Sequence, residues 1–179
     1  LVRSYVPKLK LDLEQVQKAA DLINEAKKPF LLVGQGVIIS QAEKELIQLV
    51  EKAGIPFAWT LMGLSAVPTN HELGMGMLGM HGNYAPNLKT NECDVLIAVG
   101  MRFDDRVTGD VSKYAKQAKV IHLDIDPAEI DKNVKTAVPV WGDCKETLPL
   151  LTSLVQKKDH SQWLKRFNDF MLENEGNVV

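Results

Sequence analysis

Residues 94–99, Asp-Val-Leu-Ile-Ala-Val, form an apolar run with no polar alternation. A strand of that kind is buried on both faces, the condition of an interior strand in a parallel sheet covered by helices on each side. Phe30-Leu-Leu-Val33 has the same character. Ile55-Pro-Phe-Ala58, Lys119-Val-Ile-His-Leu-Asp124 and Val138-Pro-Val-Trp141 extend the set. Pro139 has no amide to donate, so the last of these belongs at a sheet edge. Between the runs the period becomes helical. Asp12-x-x-Gln15 opens a pattern with Leu13, Val16, Ala20 and Ile23, and Ser40-x-x-Glu43 opens one with Leu46, Leu49 and Val50, ending at Gly54. Asp126-Pro127-x-Glu129 reads as a third helix start, and Asp143-x-x-Glu146 as a fourth, with Leu148, Leu151, Leu154 and Val155 inward. The alternation predicts an α/β fold: a doubly wound, mainly parallel β-sheet flanked by helices on both faces. Thr60 to Pro86 shows little periodicity and is expected to be a long functional loop.

At 179 residues the chain fits about one domain. Its 21 basic and 23 acidic residues give no electrostatic footprint for nucleic acid or an anionic membrane. The uncharged stretches Gly54–Asn70 and Leu73–Leu88 are broken by Gly, Pro, Ser, Thr and Asn, so neither suits an apolar span of about 30 Å. Cys93 and Cys144 lie far apart without a CxxC or Cys/His neighbourhood, which predicts no zinc site, no disulfide framework and a reducing, cytoplasmic compartment. No Ser-His-Asp order, metal-ligand spacing or phosphate-loop motif occurs. The chain opens Leu1-Val-Arg without Met and closes on a polar Asn174-Glu-Gly-Asn, which reads as a piece of a longer protein. The expected organisation is a linker over 1–12, a nucleotide-binding domain over 13–158 and a helical linker over 159–179. In the last, Trp163, Leu164, Phe167, Phe170 and Met171 form an apolar stripe that suits either this domain's own sheet or a neighbour.

Ligands of doubly wound sheets bind beyond the carboxyl ends of the strands. The residues there are Gly34-Gln35-Gly36, Thr60-Leu61-Met62-Gly63, Gly100 to Val107, Asp124-Ile125-Asp126 and Gly142-Asp143. Glycines admit close approach, Arg102 and Arg106 suit phosphates, and acidic side chains accept hydroxyl protons, so the set suits a nucleotide cofactor. The dinucleotide fingerprint itself is missing, because Ile39 stands where the third glycine belongs and Thr60 where an acid would follow the second strand. Gly34-x-Gly36 is equally what a plain chain-reversing turn requires. Asp126 and Asp143 double as helix caps, whereas Asp124 has no capping role. Two Arg and two Asp at 102–106 could also form a solvated salt-bridge cluster. In Leu78-Gly79-Met80-His81-Gly82, Met is a packer suited to flat rings.

Thr60-Leu-Met-Gly, Gly76-Met-Leu-Gly-Met-His-Gly82, Gly100-Met-Arg-Phe-Asp-Asp-Arg-Val-Thr-Gly109 and His122-Leu-Asp-Ile-Asp-Pro127 together resemble the central domain of the acetolactate synthase (acetohydroxyacid synthase) catalytic subunit. Related thiamine-diphosphate enzymes, such as pyruvate oxidase, share the fold without the Arg-Phe-Asp-Asp-Arg string. A stand-alone nucleotide-binding module is the other alternative. The resemblance implies a Rossmann-like domain, similar to the deoxyhypusine-synthase-like NAD/FAD-binding fold, that holds FAD. It implies contacts from Gly34, Gln35 and Gly36, from Thr60, Leu61 and Met62, and from Leu78, Gly79, Met80 and His81. Gly100, Met101, Arg102, Asp104, Arg106 and Val107 would follow, then Asp124, Ile125, Asp143 and Cys144. Gln35 departs from the commoner Gly or Ala. Thiamine diphosphate and Mg²⁺ would belong to amino- and carboxyl-terminal domains outside this chain, which itself carries no catalytic or metal-binding residue and is expected to be inactive alone. The implied partners are those domains, further copies of the catalytic subunit and a small regulatory subunit. The implied reaction condenses pyruvate with pyruvate or 2-oxobutyrate, with decarboxylation, in branched-chain amino-acid biosynthesis.

Overall fold

A computed structural model describes residues 11–174, so most of the expected 1–12 linker and the last five residues lie outside the described residues. Six strands form one all-parallel sheet: β1 (Pro29–Val33), β2 (Phe57–Trp59), β3 (Gly74–Met77), β4 (Val95–Val99), β5 (Lys119–Asp124) and β6 (Val138–Trp141). Their order is β3-β2-β1-β4-β5-β6, so the connection from β3 to β4 crosses from one half of the sheet to the other. The switch point in strand order lies between β1 and β4, where a doubly wound sheet opens its crevice. The helices are α1 (Leu13–Glu25), α2 (Gln35–Ile39), α3 (Glu43–Ala53), α4 (Tyr84–Thr90), α5 (Asp105–Thr108), α6 (Cys144–Leu154) and α7 (Ser161–Glu173).

Strand side chains alternate between two apolar layers, which explains why the central runs carry no polar residue. Leu31, Val33, Ile97, Val99, Ile121 and Leu123 pack with Val16, Ala20 and Ile23 of α1, Leu46, Leu49 and Val50 of α3, and Leu148 and Leu151 of α6. Phe30, Leu32, Leu96, Ala98 and Val120 face the other way, against Trp163 and Phe167 of α7. The stripe on 163–171 is therefore partly spent on this domain's own sheet. The Phe167 ring lies 5.0 Å from Phe30, and the Trp163 indole N–H donates to the Pro29 carbonyl at 2.9 Å. Met171, at the far end, stays 40% exposed.

Several local expectations are corrected. Ser40 does not cap α3: residues 35–39 make a separate short helix, and the Ser40 hydroxyl donates back to its Gly36 carbonyl at 2.6 Å, leaving Ala42 as an N-cap without a side-chain bond. Asp126-Pro127 starts no helix. Its carboxylate accepts from the Ala128 amide at 2.9 Å, and downstream Asp131 accepts from Thr136 at 2.6 Å in a run of turns. Local side-chain bonds at Asp126 and Asp131 take the place of a helix there. Leu154 is 38% exposed, since it falls off the stripe of Leu148, Leu151 and Val155 at about 3.6 residues per turn. Leu13 is 64% exposed at the start of α1. The region 60–86 is not one loop: it holds a 3₁₀ turn at Leu61–Gly63, edge strand β3 and the start of α4. Asp12 and Asp143 do cap their helices, accepting from the Glu14 and Lys145 amides respectively, and Val138–Trp141 is an edge strand.

Candidate nucleotide site

A cavity of about 830 Å³ opens beyond the carboxyl ends of the strands. That is the size of a site for a large organic ligand. Each of the six strands delivers residues to it. β1 gives Gln35 and Gly36, β2 gives Thr60, Leu61 and Met62, and β3 gives Leu78, Met80 and His81. β4 gives Gly100, Met101, Arg102, Asp104, Arg106 and Val107, β5 gives Asp124 and Ile125, and β6 gives Asp143 and Cys144. Of the contacts that the resemblance implies, Gly34 and Gly79 are absent from the lining, and Gly63, Phe103 and Asp126 of the wider strand-end set are absent as well.

Gly34 and Gly79 have structural work. A Cβ on Gly34 would lie 2.3 Å from the Gly100 carbonyl oxygen and from Met101 Cβ, so the ends of β1 and β4 pack backbone to backbone. The Gly36 amide donates to that same carbonyl at 2.8 Å. Gly79 has φ +105°, and a Cβ there would meet the Arg106 carbonyl at 2.8 Å. Its amide donates to the Asn87 side chain at 2.8 Å and its carbonyl accepts back at 3.0 Å, while Met80 N–H donates to Arg106 at 2.7 Å. This clamp joins the segment after β3 to the segment after β4.

Both signs of charge line the cavity. Arg102 and Arg106 stand exposed after the end of β4. Arg102 Nε lies 3.5 Å from Asp104 Oδ2 with its side chain 68% exposed, a pairing that holds the guanidinium only weakly. Asp104 also caps α5, accepting from the Val107 amide at 3.2 Å. Asp124 and Asp143 line it after the ends of β5 and β6. Asp124 is nearly buried, and burial raises its pKa above the ordinary carboxylate value. One of its oxygens accepts from the Asp126 amide at 2.9 Å. The Cys144 thiol, at the start of α6, is pushed up to about 12 by burial and is a neutral wall residue. The rim is apolar: Ile39, Leu61, Met62, Met80 and Ile125 all line the cavity, and each is more than half exposed.

Four lining residues escaped the sequence reading: Ile39, Ser40, Met77 and Glu129. The first two follow from α2 and the third from β3, and both elements lack a distinct sequence signal. The supports behind the wall were missed as well. Asn87 holds Gly79, Asn133 Nδ2 donates to the Phe103 carbonyl at 2.6 Å, and buried His122 lies with Nε2 2.7 Å from the Met101 carbonyl. Burial lowers the His122 pKa, so the ring is neutral and Nε2–H donates.

Guanidiniums and carboxylates lining one apolar-rimmed cavity can hold a ligand that carries phosphate, hydroxyls and a flat ring together. The family described as thiamine pyrophosphate enzyme, central domain, matches residues 16–151. The chain is 51% identical over 165 residues to the probable acetolactate synthase large subunit of Methanocaldococcus jannaschii, covering 90% of this chain and 28% of that protein. It is 49% identical over 155 residues to the acetolactate synthase large subunit of Corynebacterium glutamicum, covering 84% and 25%. Against the acetolactate synthase isozyme 3 large subunit of Escherichia coli it is 38% identical over 174 residues, covering 97% and 30%. The chain thus spans less than a third of the length of these relatives. Among the described residues no helix is long and apolar enough to cross a membrane.

Proposed function

The chain belongs to the thiamine pyrophosphate enzyme central-domain family, and from that premise we propose that it is the FAD-binding central domain of an acetolactate synthase large subunit. The single observation that carries the reading is the cavity at the carboxyl ends of the strands, whose lining includes Arg102, Arg106, Asp124 and Asp143. The donor set fits the cofactor. Guanidiniums meet a diphosphate through charge-assisted bonds, and carboxylates accept ribose or ribityl hydroxyls. Leu61, Met62 and Met80 offer polarizable apolar surface to a flat ring, and their exposure leaves that surface ready for a ligand. When bound, FAD supplies no net redox chemistry to the reaction.

The intact protein condenses pyruvate with pyruvate or 2-oxobutyrate, with loss of carbon dioxide, on thiamine diphosphate and Mg²⁺ held by domains outside this chain. Its partners are those domains, further copies of the large subunit and a small regulatory subunit, in the cytoplasm. Since the chemistry belongs to the thiamine cofactor, the part played by these residues is to bind and orient flavin. The test is flavin titration of the intact subunit and its Arg102→Ala variant. The parent is expected to hold one FAD, and the variant to bind at least about tenfold more weakly, the loss of one charge-assisted bond. The 179-residue chain alone is expected to make no acetolactate. A flavin-free parent, equal affinities, or turnover by the chain alone would each overturn the reading.

A further inference from the structure

Resting on the flavin reading above, we propose that His122 is a positioning residue for the cofactor: its ring fixes the segment 101–104 and so sets where Arg102 and Asp104 stand at the cavity wall. In β5, Ile121 and Leu123 face the layer of α1, α3 and α6, while Val120 faces the layer of α7. By strand alternation His122 shares the face of Val120, so an imidazole sits in an otherwise apolar layer, fully buried. Among the described residues only one ring nitrogen finds a partner: Nε2–H donates to the Met101 carbonyl at 2.7 Å, and buried Nδ1 has none. A leucine would fill the same layer without leaving a buried acceptor unpaired, so the histidine is poorly explained as core packing.

Its contacts account for it better. The ring meets the Phe103 ring edge-on, with centroids 5.1 Å apart at 70°. Met101 and Phe103 are buried at 5% and 3% exposure, and Arg102 between them points out. His122 therefore holds both anchors that flank Arg102, one through a carbonyl and one through a ring. Asn133 secures the Phe103 carbonyl from the other side at 2.6 Å. Two residues further along β5, Asp124 forms the acidic wall, with Oδ2 3.7 Å from the same Nε2. A single buried side chain thus lies within 3.7 Å of both the Met101 carbonyl next to Arg102 and the Asp124 carboxylate.

The experiment compares the intact subunit with His122→Leu, His122→Gln and His122→Asn, by flavin titration and by hydrogen exchange of the flavin-free protein. Gln can place its amide nitrogen near the position of Nε2, whereas Asn is too short. The Leu and Asn variants are expected to bind FAD about tenfold more weakly, the loss expected for one buried hydrogen bond. They are also expected to exchange faster over 101–108 while strand 95–99 is unchanged. Gln is expected to recover most of both, and the Gln–Asn contrast stands even if Leu does not fold. Parent-like flavin affinity in Asn or Leu would overturn the proposal, as would faster exchange without any loss of affinity, which is the signature of a purely structural histidine. A parent that binds no flavin at all overturns the flavin reading itself, a result distinct from any pattern among the variants.

Discussion

Replacing Gly100 by Ala tests how the ends of β1 and β4 are joined. Gly100 has φ +58°, and a Cβ built there would lie 2.7 Å from Gly36 Cα and 3.0 Å from both Gly36 C and Val37 N. A left-handed conformation costs an L-residue roughly 1–2 kcal/mol. Forcing a methyl into a packed contact costs roughly another 1–3 kcal/mol, and here the neighbours are backbone that cannot swing away. The sum, about 2–5 kcal/mol, is a large share of the roughly 5–15 kcal/mol that typically holds a domain together. Urea unfolding followed by tryptophan fluorescence should show the midpoint falling by about 1–2.5 M at a slope of about 2 kcal/mol/M. Gly36→Ala attacks the same contact from the other segment, its Cβ reaching Gly100 Cα at 2.6 Å. Once either methyl has pushed the two segments apart the second costs less, so the double variant should be less destabilised than the sum of the singles. A midpoint shift below about 0.3 M for Gly100→Ala, or strict additivity, would refute the interlock.

Phe167→Ala should destabilise the chain by about 3–5 kcal/mol, because the ring is fully buried against Phe30 and Trp163. Met171→Ala, on the exposed end of the same helix, should stay within about 0.5 kcal/mol. A small effect of Phe167→Ala in chemical denaturation would mean that α7 detaches freely from the sheet. Burial raises the Cys93 and Cys144 thiols from the ordinary 9.0 to about 12, so neither should be alkylated by iodoacetamide at pH 8 until urea unfolds the chain. The unfolded thiols ionise first as pH rises, so this contribution to stability is whole below pH 9 and drains away between 9 and about 12. Stoichiometric labelling of the native chain within minutes would contradict that burial.

The strands that sequence exposes most clearly are those whose own composition decides their fate. Residues 95–99 are buried on both faces, so their apolar character is uninterrupted and signals a central strand without reference to any neighbour. β3 is different. Gly74-Met-Gly-Met carries two glycines in four residues, and its pairing is imposed from outside: Phe57 N–H donates to the Leu73 carbonyl, and Phe57 and Trp59 register with Gly74 and Met77 around an irregularity. At Gly76 the backbone turns to φ +99°, and the Asn83 side chain accepts the Met77 amide at 2.9 Å. None of that is periodic, so nothing along the chain announces it. The cavity wall was legible because a strand's carboxyl end is marked wherever an apolar run stops at Gly, Arg or Asp. Its supports were not, because Asn87, Asn133 and His122 are isolated polar residues whose partners lie 8, 30 and 21 positions away.

The absent third glycine has a physical reason. In the dinucleotide fingerprint the glycines let backbone amides approach a pyrophosphate at the start of a long helix. Here Gly34 and Gly36 are used to bring two chain segments together. Gly34 N–H donates to the Val99 carbonyl at 2.9 Å and Gly36 N–H to the Gly100 carbonyl at 2.8 Å, so those amides are already committed within the sheet end. The helix that follows is only five residues long, too short to raise much of a dipole, and Ile39 and Ser40 end it at the cavity rim. An anionic ligand of this cavity therefore has to be recognised mainly by side chains. Arg102 and Arg106 are guanidiniums in its lining, and Arg102 is held there because buried Met101 and Phe103, braced by His122 and Asn133, flank it and leave it pointing outward.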